Sequence, residues 1–419
     1  MHFYGSKHVA QILYMCSLIL LAFFAACGQS FIIQSENNPM PPFNEPVPDP
    51  TENLAIDPDI PLAEGYFSNF LPIPREYPNN EIGALSTVND YPIGGGSGYT
   101  IGPKKSDADF IISGADSLAK LRNTLSQASP GQIVWLEKDF LVTDGPIVIP
   151  DHVMLAGDRG QNSSGPKITC DYNPGGNDAC IQLKSGSVVT GFRVFGTSSN
   201  PNQERETLCG VGRGKGYISN MEIKNFPDSS TIFLRGERGW IAYSDLGDQH
   251  YDAIYNGPDA ELGYFFNLKI KWYWNAVAVG QNNTGAGQGF VLKRSLLIRG
   301  NRDYAGGADY GAETHETSNY HLSLERKVIV KHNTFQTTPD VDMTCISFYA
   351  SGCGPWYDVK IGTANVSTKV TVTHNYFSRN FSELVDGGNI HNGWSLAYFI
   401  EGNGDVQDTL EYNSYADQR

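Results

Sequence analysis

Four side chains within seven residues, Tyr310, Glu313, His315 and Glu316, set a phenol, an imidazole and two carboxylates close together. A His–carboxylate pair with a nearby Tyr can take and return a proton near neutral pH, which is the equipment of acid/base catalysis. In extended chain Glu313 and His315 project to the same side. Cations precede them at Lys269, Lys271, Lys293, Arg294, Arg299 and Arg302. Lys269 and Lys271, two apart, are expected on one side of a strand beside Trp272 and Trp274. Such a pairing of cations with aromatics suits a groove for sugar acids and is equally compatible with a solvated face. A second cluster, Asp245, Asp248, Asp252 and Asp259 around His250 and Tyr251, offers oxygen ligands for Ca²⁺ or the two carboxylates of a glycoside hydrolase. The same residues are also what turns select.

The elements that must hold these groups repeat. Gly191, Gly216, Gly239, Gly263 and Gly289 each open a short run of apolar, β-branched or aromatic residues. Val328 to Phe335 and Val370 to Phe377 match each other, each containing His-Asn before the final aromatic. A period in the twenties built from strands and turns predicts a solenoid with parallel sheets. In such a fold Asn333 and Asn375 are expected to stack into a ladder at a coil corner. Residues 116–125 have apolar positions at 118, 121 and 125, predicting a helix capped by Asp116 or Ser117 that closes the open end. From Gly289 to Lys327 the repeat lengthens to 38 residues, so the stretch 299–317 is expected to leave the solenoid as a loop, where function usually sits.

Charged residues make up 18% of the 419, with 45 Gly and 43 Tyr plus Phe, which speaks for strands and turns rather than an all-helical protein. The net charge of −15 argues against nucleic acid as a partner, and no phosphate-binding glycine pattern or zinc spacing is present. Lys7 and His8 precede an uncharged apolar run ending in Phe24-Ala25-Ala26-Cys27, the form of an export signal. The small-small-Cys ending resembles the bacterial lipobox, which implies lipidation of Cys27 and a membrane anchor. Residues 28–107 are rich in Pro and Gly, and positions 28–100 hold ten acidic residues against Arg75 alone. They read as an acidic linker. Cys170 with Cys180, and Cys345 with Cys353, have the spacing of small disulfide loops, Cys209 being left over; the connectivity stays open.

A capping helix, a Pro-Gly turn at Pro130-Gly131 and Gly-phased coils with His-Asn-Xaa-Phe resemble the right-handed parallel β-helix of the pectate-lyase-like superfamily, over roughly residues 108–410. Trp240-Ile241-Ala242-Tyr243-Ser244-Asp245-Leu246 is similar to the Trp-Ile-Asp-His-Asn-Asp-Phe strand of pectate lyases, with Ala242 and Tyr243 in the Asp and His places. The run Tyr310 to Glu316 is similar to Tyr-Gly-Phe-Asp-Pro-His-Glu of the β-helical mannuronan C5-epimerases. That resemblance implies Tyr310 and His315 as the acid/base pair, with Glu313 beside them.

These features lead to an expected all-β chain: a signal at 1–27, a linker at 28–107 and a β-helical domain at 108–419. The expected activity is an exported polysaccharide lyase, anchored or secreted, acting on a uronate-containing glycan, with Ca²⁺ as its one candidate cofactor. The catalytic candidates are Tyr310, Glu313, His315 and Glu316. The substrate-binding candidates are Lys269, Lys271, Trp272, Lys293, Arg299 and Arg302, and the Ca²⁺ candidates are Asp245, Asp248 and Asp252. A C5-epimerase, a two-carboxylate hydrolase and a glycan-binding surface lipoprotein are the alternatives.

Overall fold

A computed structural model describes residues 51–85, 90–161, 163–171, 179–197, 209–212, 216–224, 232–234, 239–247, 253–256, 261–272, 275–279, 281–282, 285–286, 289–299, 310–314, 326–337, 357–362, 368–378, 398–401, 406–409 and 412–415. Short strands recur in threes along the chain, and each pairs in parallel with its counterpart one coil away. Among the described residues they build three long sheets. The first has eleven strands, from Phe110–Ile112 to Val406–Thr409. The second has ten, from Phe140–Val142 to Ser414–Tyr415, and the third nine, from Ile147–Ile149 to Tyr398–Glu401. This is a parallel β-helix.

Alternation along each strand sends one row inward. Ile218, Ile241, Phe265 and Leu292 of the first sheet, Ile223, Leu246, Ile270 and Leu297 of the second, and Ile181, Val211, Ile232, Ile254 and Val277 of the third are all buried and share one core. Helix α1 (Leu118–Gln127) covers the N-terminal end with Leu121 and Leu125, and the Ser117 hydroxyl accepts from the Lys120 N–H, so Ser117 is its N-cap.

The glycine phasing has a steric cause. A Cβ on Gly239 would meet the Gly216 carbonyl oxygen at 2.0 Å, and one on Gly289 the Lys327 carbonyl oxygen at 2.1 Å. Adjacent coils approach too closely there for a side chain. Gly191 does not belong to this column: it lies one corner later, between the strands Val188–Thr190 and Arg193–Gly196. The two His-Asn runs lie on adjacent coils, one enlarged turn apart, since Val328 pairs with Val370 and Val330 with Val372.

The corner from first to second sheet is tight and repeated. Asn220, Tyr243, Asn267, Arg294, His332, His374 and Tyr412 each occupy it with positive φ, between 45° and 61°. The residues that follow form an inner polar ladder. The Asn333 N–H donates to Asn375 Oδ1 at 2.9 Å and its Nδ2 to the Leu292 carbonyl. Asn375 repeats the pattern with Asn413 and Val330. In coils lacking Asn, the hydroxyls of Ser295 and Ser244 accept from the N–H groups of Leu268 and Met221. The expected Asn ladder is therefore present, extended by serines.

Residues 51–107 are not a free linker. Phe67, Leu71, Tyr91 and Tyr99 are buried on the outer face of the first sheet against Trp135, Met154, Tyr217, Trp240, Tyr243, Tyr264 and Phe266. Burial of such side chains contributes about 1.5–3 kcal/mol each, enough to hold this strap in place. Its backbone is pinned along the tight corner: Gly96 N–H donates to Asn220 Oδ1, Gly94 N–H to the Asn267 carbonyl and Gly83 N–H to the His374 carbonyl. The export signal, Cys27, Cys345 and Cys353 lie outside the described residues.

Cys170 and Cys180 form a disulfide across the connection from second to third sheet. Closing so short a loop limits the unfolded chain only modestly, by about 2–3 kcal/mol on the loop-entropy estimate. A Cys170→Ser/Cys180→Ser double variant should therefore unfold at lower denaturant by that amount, with wild-type circular dichroism retained. An unchanged midpoint would show that the bond contributes nothing.

Candidate functional site

The two connections of each coil that lie away from the tight corner differ in length. From second to third sheet the chain passes from Trp272 to Asn275 in one coil, from Arg299 to Tyr310 in the next, from Thr337 to Tyr357 and then from Phe377 to Tyr398. Long connections therefore leave this corner in three successive coils. By register Trp272 neighbours Arg299, and Asn275 neighbours Tyr310. Two of the expected substrate-binding residues and the first residue of the catalytic run thus border the same edge of the third sheet.

Tyr310 and Glu313 belong to the third-sheet strand Tyr310–Thr314. Ala312 takes the register of buried Val277, while Glu313 takes that of Ala278 and Lys360. Alternation consequently puts Tyr310 in the row of Ala312 and Glu313 in the opposite row. The expected four-residue acid/base set does not share one face: Tyr310 is separated from Glu313 by strand parity, a consequence of their three-residue spacing. His315 and Glu316, like Arg302, Asp248 and Asp252, lie outside the described residues.

The outer row of the third sheet reads, coil by coil, Gln182, Gly212, Phe233, Tyr255, Ala278, Glu313, Lys360, Phe399. An acid and a cation occupy neighbouring coils, with aromatic positions before and after them and Ala278 between Tyr255 and Glu313. Lys360 was not singled out from the sequence. Its relation to Glu313 spans a coil of irregular length, and the alternation of Tyr357-Asp358-Val359-Lys360-Ile361 was the one available signal.

The second sheet carries Lys269 and Lys271 on its outer face, on either side of buried Ile270, as their spacing predicts. They stand in a mixed-charge patch. Asp245 lies 3.2 Å from Lys224 and 3.7 Å from Lys269, and Lys224 also meets Glu222 at 2.9 Å. Burial works against the charge of Lys224, but Asp245 and Glu222 outweigh it and raise its pKa. Two ammonium groups at this carboxylate oppose a divalent cation, so Asp245 does not fit the Ca²⁺ role expected of it. Among the described residues no group of three His, Cys, Asp or Glu is placed to hold a metal ion.

Lys293 requires correction too. Its ammonium is buried, 2.7 and 2.8 Å from the Asp57 carboxylate oxygens and 2.8 Å from Asp59, which also receives Lys327. Desolvation opposes the ionised form of Asp59, yet the two lysines lower its pKa. Lys293 fastens the strap and is not open to substrate.

The pectate-lyase-like stretch is covered as well. Ala242 and Tyr243 are buried beneath the strap, and Tyr243 packs against Tyr91 and Tyr99 with ring centroids 6.0 and 5.0 Å away. Its hydroxyl donates to Asp90 Oδ1 at 3.1 Å. Asp90 also accepts from Tyr77 and from Asn267 Nδ2, and pairs with Arg294 at 3.3 Å. Burial and then the Asp90 charge push the Tyr77 hydroxyl far above the ordinary phenol range. These buried ionisable groups hold the strap to the helix.

His332 belongs to the same seam, with its Nδ1 2.7 Å from the Glu81 carbonyl. Burial is the main cause that lowers its pKa to about 3. An unfolded His titrates near 6.5, so between these values the unfolded chain binds the extra proton and stability falls as pH falls. Urea midpoints measured downward from pH 7 should decline from about pH 6.5, and His332→Gln should flatten that decline. Parallel curves for the two proteins would contradict the assignment.

No protein-family model matches this chain, and no curated protein matches it. Among solved structures it is similar to the Dettilon tailspike protein, at 12% identity and a TM-score of 0.37, over 69% of this chain and 66% of that one.

Proposed function

We infer that the protein acts on an acidic polysaccharide laid along the outer face of the third sheet, and that it is a lyase. The observation that carries this reading is the register pair Glu313–Lys360, set in a row with Tyr255 and Phe399 and bordered by the corner of Trp272, Arg299 and the long connections. A parallel β-helix repeats each outward position about 4.8 Å further along its axis, so one row offers a polymer a succession of contacts. Aromatic positions suit sugar rings, while Lys360 and Arg299 suit uronate carboxylates.

Elimination begins when a base takes the proton from C5 of a uronate. The electron pair moves toward the carboxylate, where Lys360 offsets the developing charge. As the C4–C5 double bond forms, the bond from C4 to the glycosidic oxygen breaks, and that oxygen leaves with a proton. Glu313 and His315 are the base and the acid in this reading. Return of the proton to the opposite face of C5 would give an epimer instead. The likeness of Tyr310 to Glu316 to the epimerase stretch favours that as the second reading. A hydrolase centred on Asp245 has less support, because lysines occupy that carboxylate.

Mass spectrometry of alginate or pectate incubated with the exported protein tests the reaction class. Elimination yields shortened chains whose new non-reducing ends are lighter than hydrolysis products by one water. Saturated fragments, or chains of unchanged length, would overturn the lyase reading.

A further inference from the structure

The second sheet has a hollow that the chemistry on the third sheet does not use. It measures about 290 Å³ and is lined by Ile82, Leu85, Thr334, Gln336, Tyr376 and Ser378. Thr334 and Tyr376 are register neighbours on adjacent coils and form its floor. Gln336 and Ser378 stand two residues further along the same strand paths. The strap supplies the opposite wall, and that wall is fixed: Ala84 N–H donates to the Thr334 hydroxyl at 2.8 Å and Gly83 N–H to the His374 carbonyl at 2.8 Å. Gly83 allows the approach, since a Cβ there would meet Thr334 Oγ1 at 2.7 Å and Tyr376 Cβ at 2.9 Å. Leu85 is 65% exposed and Gln336 is exposed, so the hollow opens to solvent.

We propose that this hollow is a sugar-binding subsite for one or two uncharged pyranose units. Its lining mixes an aromatic ring, aliphatic side chains, hydroxyls and an amide, and contains no ionic side chain. Those groups match a neutral sugar, whose C–H face is apolar and whose rim is hydroxyl, and they offer a carboxylate no countercharge. The volume is near the lower end of small-ligand sites, roughly 300–1,000 Å³, which limits the occupant to a short piece of glycan. The proposal rests on the glycan-directed reading above and adds to it that the substrate carries neutral sugars, as a branch or as alternating units, beside its uronates.

Saturation-transfer NMR of the exported protein tests this with neutral tetrasaccharides of β-1,4-linked glucose, mannose and xylose, alongside tetragalacturonate and tetramannuronate. The expected result is transfer to the ring protons of at least one neutral probe, with affinity falling at least tenfold in Tyr376→Ala and several-fold in Gln336→Ala. Gln336 is exposed, so its variant reports on binding even if Tyr376→Ala fails to fold. Absence of binding by every neutral probe, or binding indifferent to Gln336→Ala, would overturn the proposal. So would uronate probes displacing the neutral ones from this hollow. Neutral binding that persists in Lys360→Met separates this subsite from the third-sheet chemistry. Unsaturated products without neutral binding would remove the subsite alone.

Discussion

Asp90→Ala is expected to cost about 3–5 kcal/mol of folding stability, the penalty for removing one partner of a buried ion pair. The Asp90 carboxylate is 3% exposed and receives Tyr77, Tyr243, Asn267 and Arg294. Its removal takes this carboxylate from the Arg294 guanidinium, which is 4% exposed and stacked over the Tyr77 ring at 3.9 Å. The two phenols and an amide lose an acceptor at the same time, each unsatisfied group costing about 1–3 kcal/mol before relaxation. Because the strap delivers Asp90 to a corner 177 residues further along the chain, the damage extends beyond one hydrogen bond. Urea denaturation would show the lowered midpoint, and Asp90→Ala/Arg294→Met should recover part of it, since the guanidinium that faced the lost carboxylate is then gone as well. A loss under about 1 kcal/mol would mean that the strap rests on its apolar contacts alone.

Lys360→Met should reduce kcat/KM on a uronan by about 10²–10³, the range seen when one group stabilising transition-state charge is removed, with little change in melting temperature. Lys360 stands in register between Glu313 and Phe399, one residue from the row of Val277, so the substitution is chosen to remove a charge at that register position. If the cation serves the developing enolate rather than ground-state binding, the loss falls on kcat. Glu313→Gln should lower the rate comparably. If both act on one proton transfer, the double variant loses less than the product of the two single losses. A pure rise in KM would make Lys360 a binding residue, and an unchanged rate would remove it from the site.

The fold could be read from the sequence because its rules are local. Glycines recur where coils touch, apolar residues alternate with polar ones, and Asn333 and Asn375 follow His at equivalent corners. The strap could not be read so easily. Pro-rich acidic composition describes a solvated linker, whereas the contacts that fold it, such as Asp57 to Lys293, join residues 236 apart. Lys293 looked available for the same reason: nothing near it in sequence announces two carboxylates. The candidate site was readable in part. Tyr310 and Glu313 were close enough in sequence to suggest one cluster, yet three residues of strand put them on opposite rows. Lys360 and Tyr255 join Glu313 across coils of unequal length, and only the register reveals them.

The most direct test follows ultraviolet absorbance of the unsaturated product while the protein and its Glu313→Gln and Lys360→Met variants act on alginate and pectate. A rise with the unaltered protein on at least one polymer, reduced by about 10² or more in both variants, is the result predicted for elimination on the third sheet. A flat trace on every uronan, or equal slopes for all three proteins, would contradict it.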